Sequence, residues 1–255
     1  MAGWDFELEE KKPKKKFYHF EELIIHEDDR IVVVNKPSGV ASLSDREDEV
    51  NMFRLAKRYD DSLKPCHRLD KHTTGVMLFA KGAELYREIS ILFTHREITK
   101  HYIALVHGVH HHEEFTIELP IATTAKGKAR IDFGEGKESI TVVSTAELFK
   151  DFTLMDCHPL TGRMHQIRIH LSAHGMPLVG DKEYGGKDIF LSELKRNFKV
   201  NRKLEEPPIN DGFFLHARGI SFVVPGDEKE SLFIAELPKK FETALKLLRR
   251  YNNPR

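Results

Sequence analysis

Three segments of the chain crowd together side chains able to do chemistry. The first is Cys66-His67-Arg68-Leu69-Asp70-Lys71-His72-Thr73-Thr74-Gly75, between Pro65 and the apolar run Val76 to Ala80. A polar loop tied at one end to a buried strand is a rigid mount for a catalytic carboxylate, and Asp70 is the acid it carries. The same residue types also describe a charged turn in which Arg68 and Lys71 neutralise Asp70, and composition leaves both readings open. The second segment, Thr161-Gly162-Arg163-Met164-His165-Gln166-Ile167-Arg168-Ile169-His170-Leu171, has two Arg and two His and no acid. With a helix starting near Met164, Arg168 stands one turn beyond His165 on a shared face, while Ile167 and Leu171 turn to the core. A partly buried guanidinium needs an anionic partner, so a carboxylate from elsewhere in the chain, or a phosphate, is expected to meet Arg168. In the third segment, Lys100 to Gly108, alternation puts Tyr102, Ala104 and Val106 on one strand face with Tyr102 inward. A core tyrosine with a satisfied hydroxyl fits that pattern as well as a catalytic one.

The elements that must hold these groups are mostly strands. Leu23-Ile24-Ile25, a turn at Glu27-Asp28-Asp29 and Ile31 to Val34 read as a hairpin closed by the breaker Lys36-Pro37-Ser38-Gly39. Further strands are expected at Val76–Ala80, Tyr102–Val106, Phe115–Leu119, Ile140–Val143, Phe152–Asp156, Phe213–Ala217 and Ile220–Val224. Helical spacing appears at Leu85, Ile89, Leu92 and Phe93, at Ile167, His170, Leu171 and His174, and at Phe241, Ala244, Leu245 and Leu248. Strands come in runs and do not alternate strictly with helices, which predicts an α+β fold with a largely antiparallel or mixed central sheet flanked by helices. Thr123 to Ser139, with Lys126, Lys128 and Arg130, reads as a protruding loop or loose hairpin.

Whole-chain properties exclude several classes. A chain of 255 residues can bury a core without staples, and its cysteines, Cys66 and Cys157, form no CxxC pair, so a reducing compartment is expected. No apolar run approaches the length of a membrane span and MAGWDFELEEKK lacks a signal-peptide core, so a cytoplasmic protein without membrane contact is expected. Lys plus Arg and Asp plus Glu are 40 each, so net charge argues neither for nor against nucleic acid. The basic run Lys11 to Lys16 places a flexible arm over residues 1–22, touching phosphate or merely solubilising, ahead of a folded domain over 23–255. His110-His111-His112 alternate faces on an extended chain, so no metal site is expected.

Taken together, the segments closely resemble the signature stretches of RluA-type pseudouridine synthases. That family shows an H-R-L-D loop ending in a Thr-Ser-Gly-like turn, a K-x-Y-x-A strand and a T-G-R-x-H-Q-I-R-x-H helix. Here these read His67 to Asp70 with Thr73-Thr74-Gly75, Lys100 to Ala104, and Thr161 to His170. Val33 to Gly39 resembles the family's V-x-N-K-P-x-G hairpin, and Pro177 to Asp181 with Tyr184-Gly185 resembles the segment that follows its helix. Thr74 departs from the usual Ser but keeps a hydroxyl, and the S4-like RNA-binding domain of many relatives is not expected ahead of Leu23.

The resemblance implies isomerisation of uridine to pseudouridine in structured RNA, ribosomal or transfer, without cofactor, metal or obligatory protein partner, by a monomer. It implies Asp70 as the catalytic carboxylate, Arg168 opposite it, and Tyr102 stacked on the uracil with its hydroxyl assisting proton removal from C5. Arg68 takes the position that fills the gap left by a flipped-out nucleotide, and His67, Lys71, Thr73, Arg163, His165 and Gln166 take RNA-contacting positions. Two other readings stay open: a non-catalytic RNA-binding or assembly module on the same fold, and a hydrolase with Asp70 as nucleophile and His67 or His72 as base.

Overall fold

Runs of β-branched and apolar residues, too short for helices and broken by Gly, Pro and Asp, pair into a ten-stranded sheet; among the described residues a separate hairpin, five α-helices and two short 3-10 turns complete the fold. The computed structural model describes residues 18–43, 50–124, 128–195, 198, 206–210 and 212–254. In chain order the elements are β1 (Ile24–Glu27), β2 (Ile31–Lys36), α1 (Met52–Tyr59), β3 (Leu63–Pro65), β4 (Thr74–Lys81) and α2 (Ala83–His95). There follow β5 (Thr99–His107), β6 (Phe115–Glu118), β7 (Ile121–Thr123), β8 (Ala129–Ile131), β9 (Ile140–Leu148) and β10 (Phe152–Pro159). The last are α3 (Gln166–Ala173), α4 (Leu191–Leu194), β11 (Leu215–Val223), β12 (Glu230–Ile234) and α5 (Lys239–Tyr251).

Strand order is β1-β2-β4-β11-β5-β10-β9-β6, with β3 added to β4 and β12 to β11. All pairings are antiparallel except β4 with β11, which run parallel at the middle of the sheet. The expected α+β architecture is therefore the observed one. Covering the sheet on both faces accounts for the unbroken apolar runs in β2 and β4. Val32 and Val34 pack with Met52, Leu55 and Ala56 of α1, while Ile31, Val33 and Leu78 pack with Ile89 of α2 on the other side. In the second half, Ala104, Val106 and Met155 meet Ile167 and Leu171 of α3, whereas Leu105 and Leu154 meet Phe241 and Leu248 of α5.

Several expectations change. Phe213–Ala217 and Ile220–Val224 are not two strands: β11 runs through both, because a register shift between Ala217 and Gly219 absorbs the irregularity instead of ending the strand. Helix α1 is an addition, opened by Asn51, whose side chain accepts from the Arg54 N–H at 2.9 Å. Residues 1–17 of the expected arm lie outside the described residues, as do Lys126 and the other residues of 125–127. Within the stretch expected as an arm, Phe20 is buried edge-on against Phe79 and tilted on Tyr59, and Tyr18 packs on the same cluster. The 123–139 segment is a loose hairpin only in part, because β7 and β8 pack Ile121 and Ala129 on Ile169 of α3. No helix among the described residues is long and apolar enough to cross a membrane.

Candidate active site

The loop between β3 and β4 carries Asp70 and is tied to the fold at several points. Cys66 N–H donates to Leu78 O at 2.9 Å, and Leu78 N–H donates to His67 Nε2 at 3.1 Å. Ser42 brackets Leu69, accepting from its N–H at 2.9 Å and donating to its carbonyl at 2.7 Å. Lys36, fully buried, donates to the carbonyls of Pro37, Val40 and Lys71 at 3.0, 2.7 and 3.0 Å, using all three protons of the ammonium. Burial pulls the Lys36 pKa down to about 7, with the charge of Asp70 opposing. Gly75 ends the loop because it has φ +108° and a Cβ there would fall 2.1 Å from Ala217 O across the β4–β11 pairing.

Opposite this loop stands the start of α3. His165 precedes the helix with φ 53°, a left-handed backbone that is uncommon outside Gly and Asn. That turn sets α3 so that its first turn aims Arg168 at Asp70, Nη1 lying 3.3 Å from Oδ2. Asp181 grips the other edge of the guanidinium, accepting from Nε at 2.6 Å and Nη2 at 2.8 Å, and Glu183 accepts from Nη2 at 2.9 Å. The guanidinium carbon lies 4.8 Å from the centre of the Tyr184 ring and 4.4 Å from that of Phe213. Burial works against its charge, but the hydrogen bonds and charge of Asp181 more than reverse this, so the Arg168 pKa lies above its ordinary value. His165 Nε2 is 3.8 Å from Asp70 Oδ1, and its Nδ1 shares a hydrogen bond with the Tyr184 hydroxyl at 2.8 Å. Burial lowers the pKa of His165, with the charge of Asp70 acting the other way.

Between the loop and α3 opens a cleft of about 730 Å³ with Asp70 and Tyr102 in its wall. The Tyr102 hydroxyl hydrogen-bonds to none of the described residues. Burial first, then the charge of Asp70, pushes its pKa up, so the phenol keeps its proton at neutral pH.

The expected site residues separate into three groups. Asp70, Arg168, Tyr102, His165 and Thr73 meet in the cleft, and Arg68 and Arg163 stand exposed at its rim. Lys71 is exposed outside the cleft, and what it contributes inward is its backbone carbonyl. His67 and Gln166 reach the cleft wall, where His67 Nε2 and the Gln166 amide are bonded within the protein. His67 Nε2 is occupied by Leu78 N–H, and burial pulls its pKa down to about 4, so it is a neutral wall residue. Gln166 accepts from Thr161 Oγ1 and Arg163 N–H and donates to Ile140 O and Thr141 Oγ1, which uses its amide completely. In this structure both residues brace the cleft wall through these bonds. Sequence reading missed Lys36, Asp181 and Glu183 as members of the site. The first two lay within the resembling flanks, but nothing local told which side chain each would meet. Among the described residues no three His, Cys, Asp or Glu side chains converge as a metal site would require.

A family profile described as RNA pseudouridylate synthase matches residues 30–173. The chain is 36% identical over 238 residues to the ribosomal large subunit pseudouridine synthase C of Buchnera aphidicola subsp. Baizongia pistaciae, covering 90% of this chain and 71% of that protein. It is also 36% identical over 167 residues to the dual-specificity RNA pseudouridine synthase RluA of Pasteurella multocida, covering 63% of this chain and 76% of that one. Among solved structures it resembles human RNA pseudouridylate synthase domain containing 4, with 27% identity and a TM-score of 0.68 over 90% of this chain and 95% of that one.

Proposed function

Because the chain belongs to the RNA pseudouridylate synthase family, of the RluA type, we propose that it isomerises uridine in structured RNA, ribosomal or transfer, with Asp70 as the catalytic carboxylate. The reaction breaks the C1′–N1 bond, joins C1′ to C5, releases the C5 proton and puts a proton on the freed N1, so nothing is oxidised and no group is lost. The observation that carries the proposal is the ion pair of Asp70 with Arg168 at 3.3 Å inside a cleft that also holds Tyr102.

The Arg168 guanidinium reaches the Asp70 carboxylate by one hydrogen bond while Asp181 holds it by two. Asp70 therefore keeps lone pairs for the substrate while Arg168 stays fixed. Bases in a duplex or hairpin are stacked, so the target nucleotide must swing out to reach this depth, and exposed Arg68 at the rim suits the gap left behind. Tyr102 stacks on the extruded uracil. Its protonated phenol serves proton removal from C5 as a relay and not as a phenolate base. The catalytic unit is proposed to run from Tyr18 through α5, to follow a basic arm, and to work in the cytoplasm as a monomer.

The test is tritium release from ribosomal and transfer RNA labelled at C5 of uridine. Wild type is expected to release label, and Asp70→Asn to release none while binding RNA within about tenfold of wild type, because phosphate contacts elsewhere carry most of the affinity. RNA binding by wild type without label release would make the protein a binding module. Cleaved or shortened RNA would make it a hydrolase.

A further inference from the structure

The cleft mixes charges of both signs. Asp70 stands in its wall, with Asp181 and Glu183 behind it around Arg168. Arg68, Arg96, Lys100 and Arg163 line the same cleft in a chain whose formal net charge is +0. Arg96 pairs with Glu138 at the surface, and Arg163 Nε donates to the Glu138 backbone carbonyl.

Lys100 is the least expected of the four. Its ammonium is half-buried and donates to a single acceptor, Thr161 O at 3.0 Å, with no carboxylate in ion-pair range among the described residues. A desolvated cation with donors to spare is expensive to keep unless an anion completes it. Burial and the neighbouring charge of Arg96 pull its pKa down to about 8, and an anion placed beside it would oppose both effects. Lys100 and Tyr102 are two residues apart on β5 and share a strand face, so their Cα atoms are about 6.7 Å apart. A nucleotide's sugar and its own phosphate are separated by a distance of that order.

We propose that Lys100, flanked by Arg96, is a phosphate subsite that takes the RNA backbone phosphate adjoining the uridine presented to Asp70. It rests on the reading that RNA fills this cleft. The subsite gives the bound strand a direction, with phosphate at Lys100 and sugar over Asp70. Arg96 is free to join, because an exposed pair such as Arg96–Glu138 is held weakly and is easily exchanged for phosphate.

The experiment measures binding of ribosomal and transfer RNA transcripts against salt concentration in an Asp70→Asn background, where turnover does not intrude. Lys100→Met is expected to weaken binding about three- to tenfold near 0.1 M salt and to flatten the plot of log affinity against log salt by about one counterion, with Lys100→Arg restoring the slope. In the active protein, Lys100→Met should raise KM more than it lowers kcat. An unchanged slope and KM in a folded Lys100→Met protein would overturn the proposal and leave Lys100 as a tie on the Thr161 turn. Should Lys100→Met fail to fold, Arg96→Gln reads the same slope, and a wild-type slope there overturns it equally. A lost slope in a protein whose wild type releases no tritium would keep the subsite and remove the isomerase reading. Normal tritium release with an unchanged slope would do the reverse.

Discussion

Replacing Arg168 by Met keeps much of the side chain's length and apolar stem and removes only the guanidinium. Three carboxylates lose their partner, and their cost scales with how far each is shut off from water. Asp181 is 1% exposed, Asp70 20% and Glu183 39% by side chain. Water can resolvate much of the last two, so Asp181, which loses bonds of 2.6 and 2.8 Å, dominates. Removing one member of a buried pair costs about 3–5 kcal/mol, which for a chain of this size lowers Tm by roughly 6–20 °C. Arg168→Met with Asp181→Leu should recover part of the loss, because the buried charge is then gone. Calorimetry checks the stability, and tritium release should fall sharply in both variants. An Arg168→Met protein melting within about 3 °C of wild type at pH 7 would refute the argument that desolvated Asp181 depends on this guanidinium.

Tyr102→Phe should keep stacking and lower kcat about 100-fold with little change in KM, whereas Tyr102→Ala should raise KM as well; wild-type kcat in the Phe variant would remove the hydroxyl from proton transfer. Because the raised pKa keeps the phenol protonated, the wild-type rate should show no rise between pH 8 and 9 attributable to phenolate; a steep rise there that vanishes in Tyr102→Phe would contradict this. Lys36→Met should cost about 3 kcal/mol or more by stranding three carbonyls, and should lower kcat while sparing RNA affinity, measured by chemical denaturation and label release; a stability loss below about 1 kcal/mol would count against the role given to Lys36. His216 is fully buried between Thr74 Oγ1 and Ala235 O, and burial lowers its pKa to about 4. The unfolded chain then binds the extra proton below about pH 6.5. Stability should fall as pH drops from there through about 4, by roughly 1.4 kcal/mol per unit of pKa difference; equal urea midpoints at pH 7 and 5 would contradict it.

How much of this was legible in the sequence depends on the range of the interaction involved. The runs Ile31–Val34 and Val76–Ala80, the spacing of Ile167 and Leu171, and the alternation around Tyr102 are local signals, and the strands and helices follow them. The same residues, through their family resemblance, were enough to single out Asp70, Tyr102 and Arg168. That Arg168 needed an acid was also readable, since a helix face with two Arg and no carboxylate cannot be satisfied from within.

Tertiary structure alone decided which acids answered. Asp70 lies 98 residues away in sequence and reaches Arg168 because β4 and β11 pair in parallel at the middle of the sheet and bring the two halves together. The same pairing demands Gly75 beside Ala217, and the left-handed turn at His165 turns the Gln166 amide inward to its own fold. His67 and Gln166 look like their charged neighbours in a string of letters. Burial separates them, because a polar group removed from water must spend its hydrogen bonds on whatever the fold places beside it, and strand order, which has no local signature, chooses those neighbours.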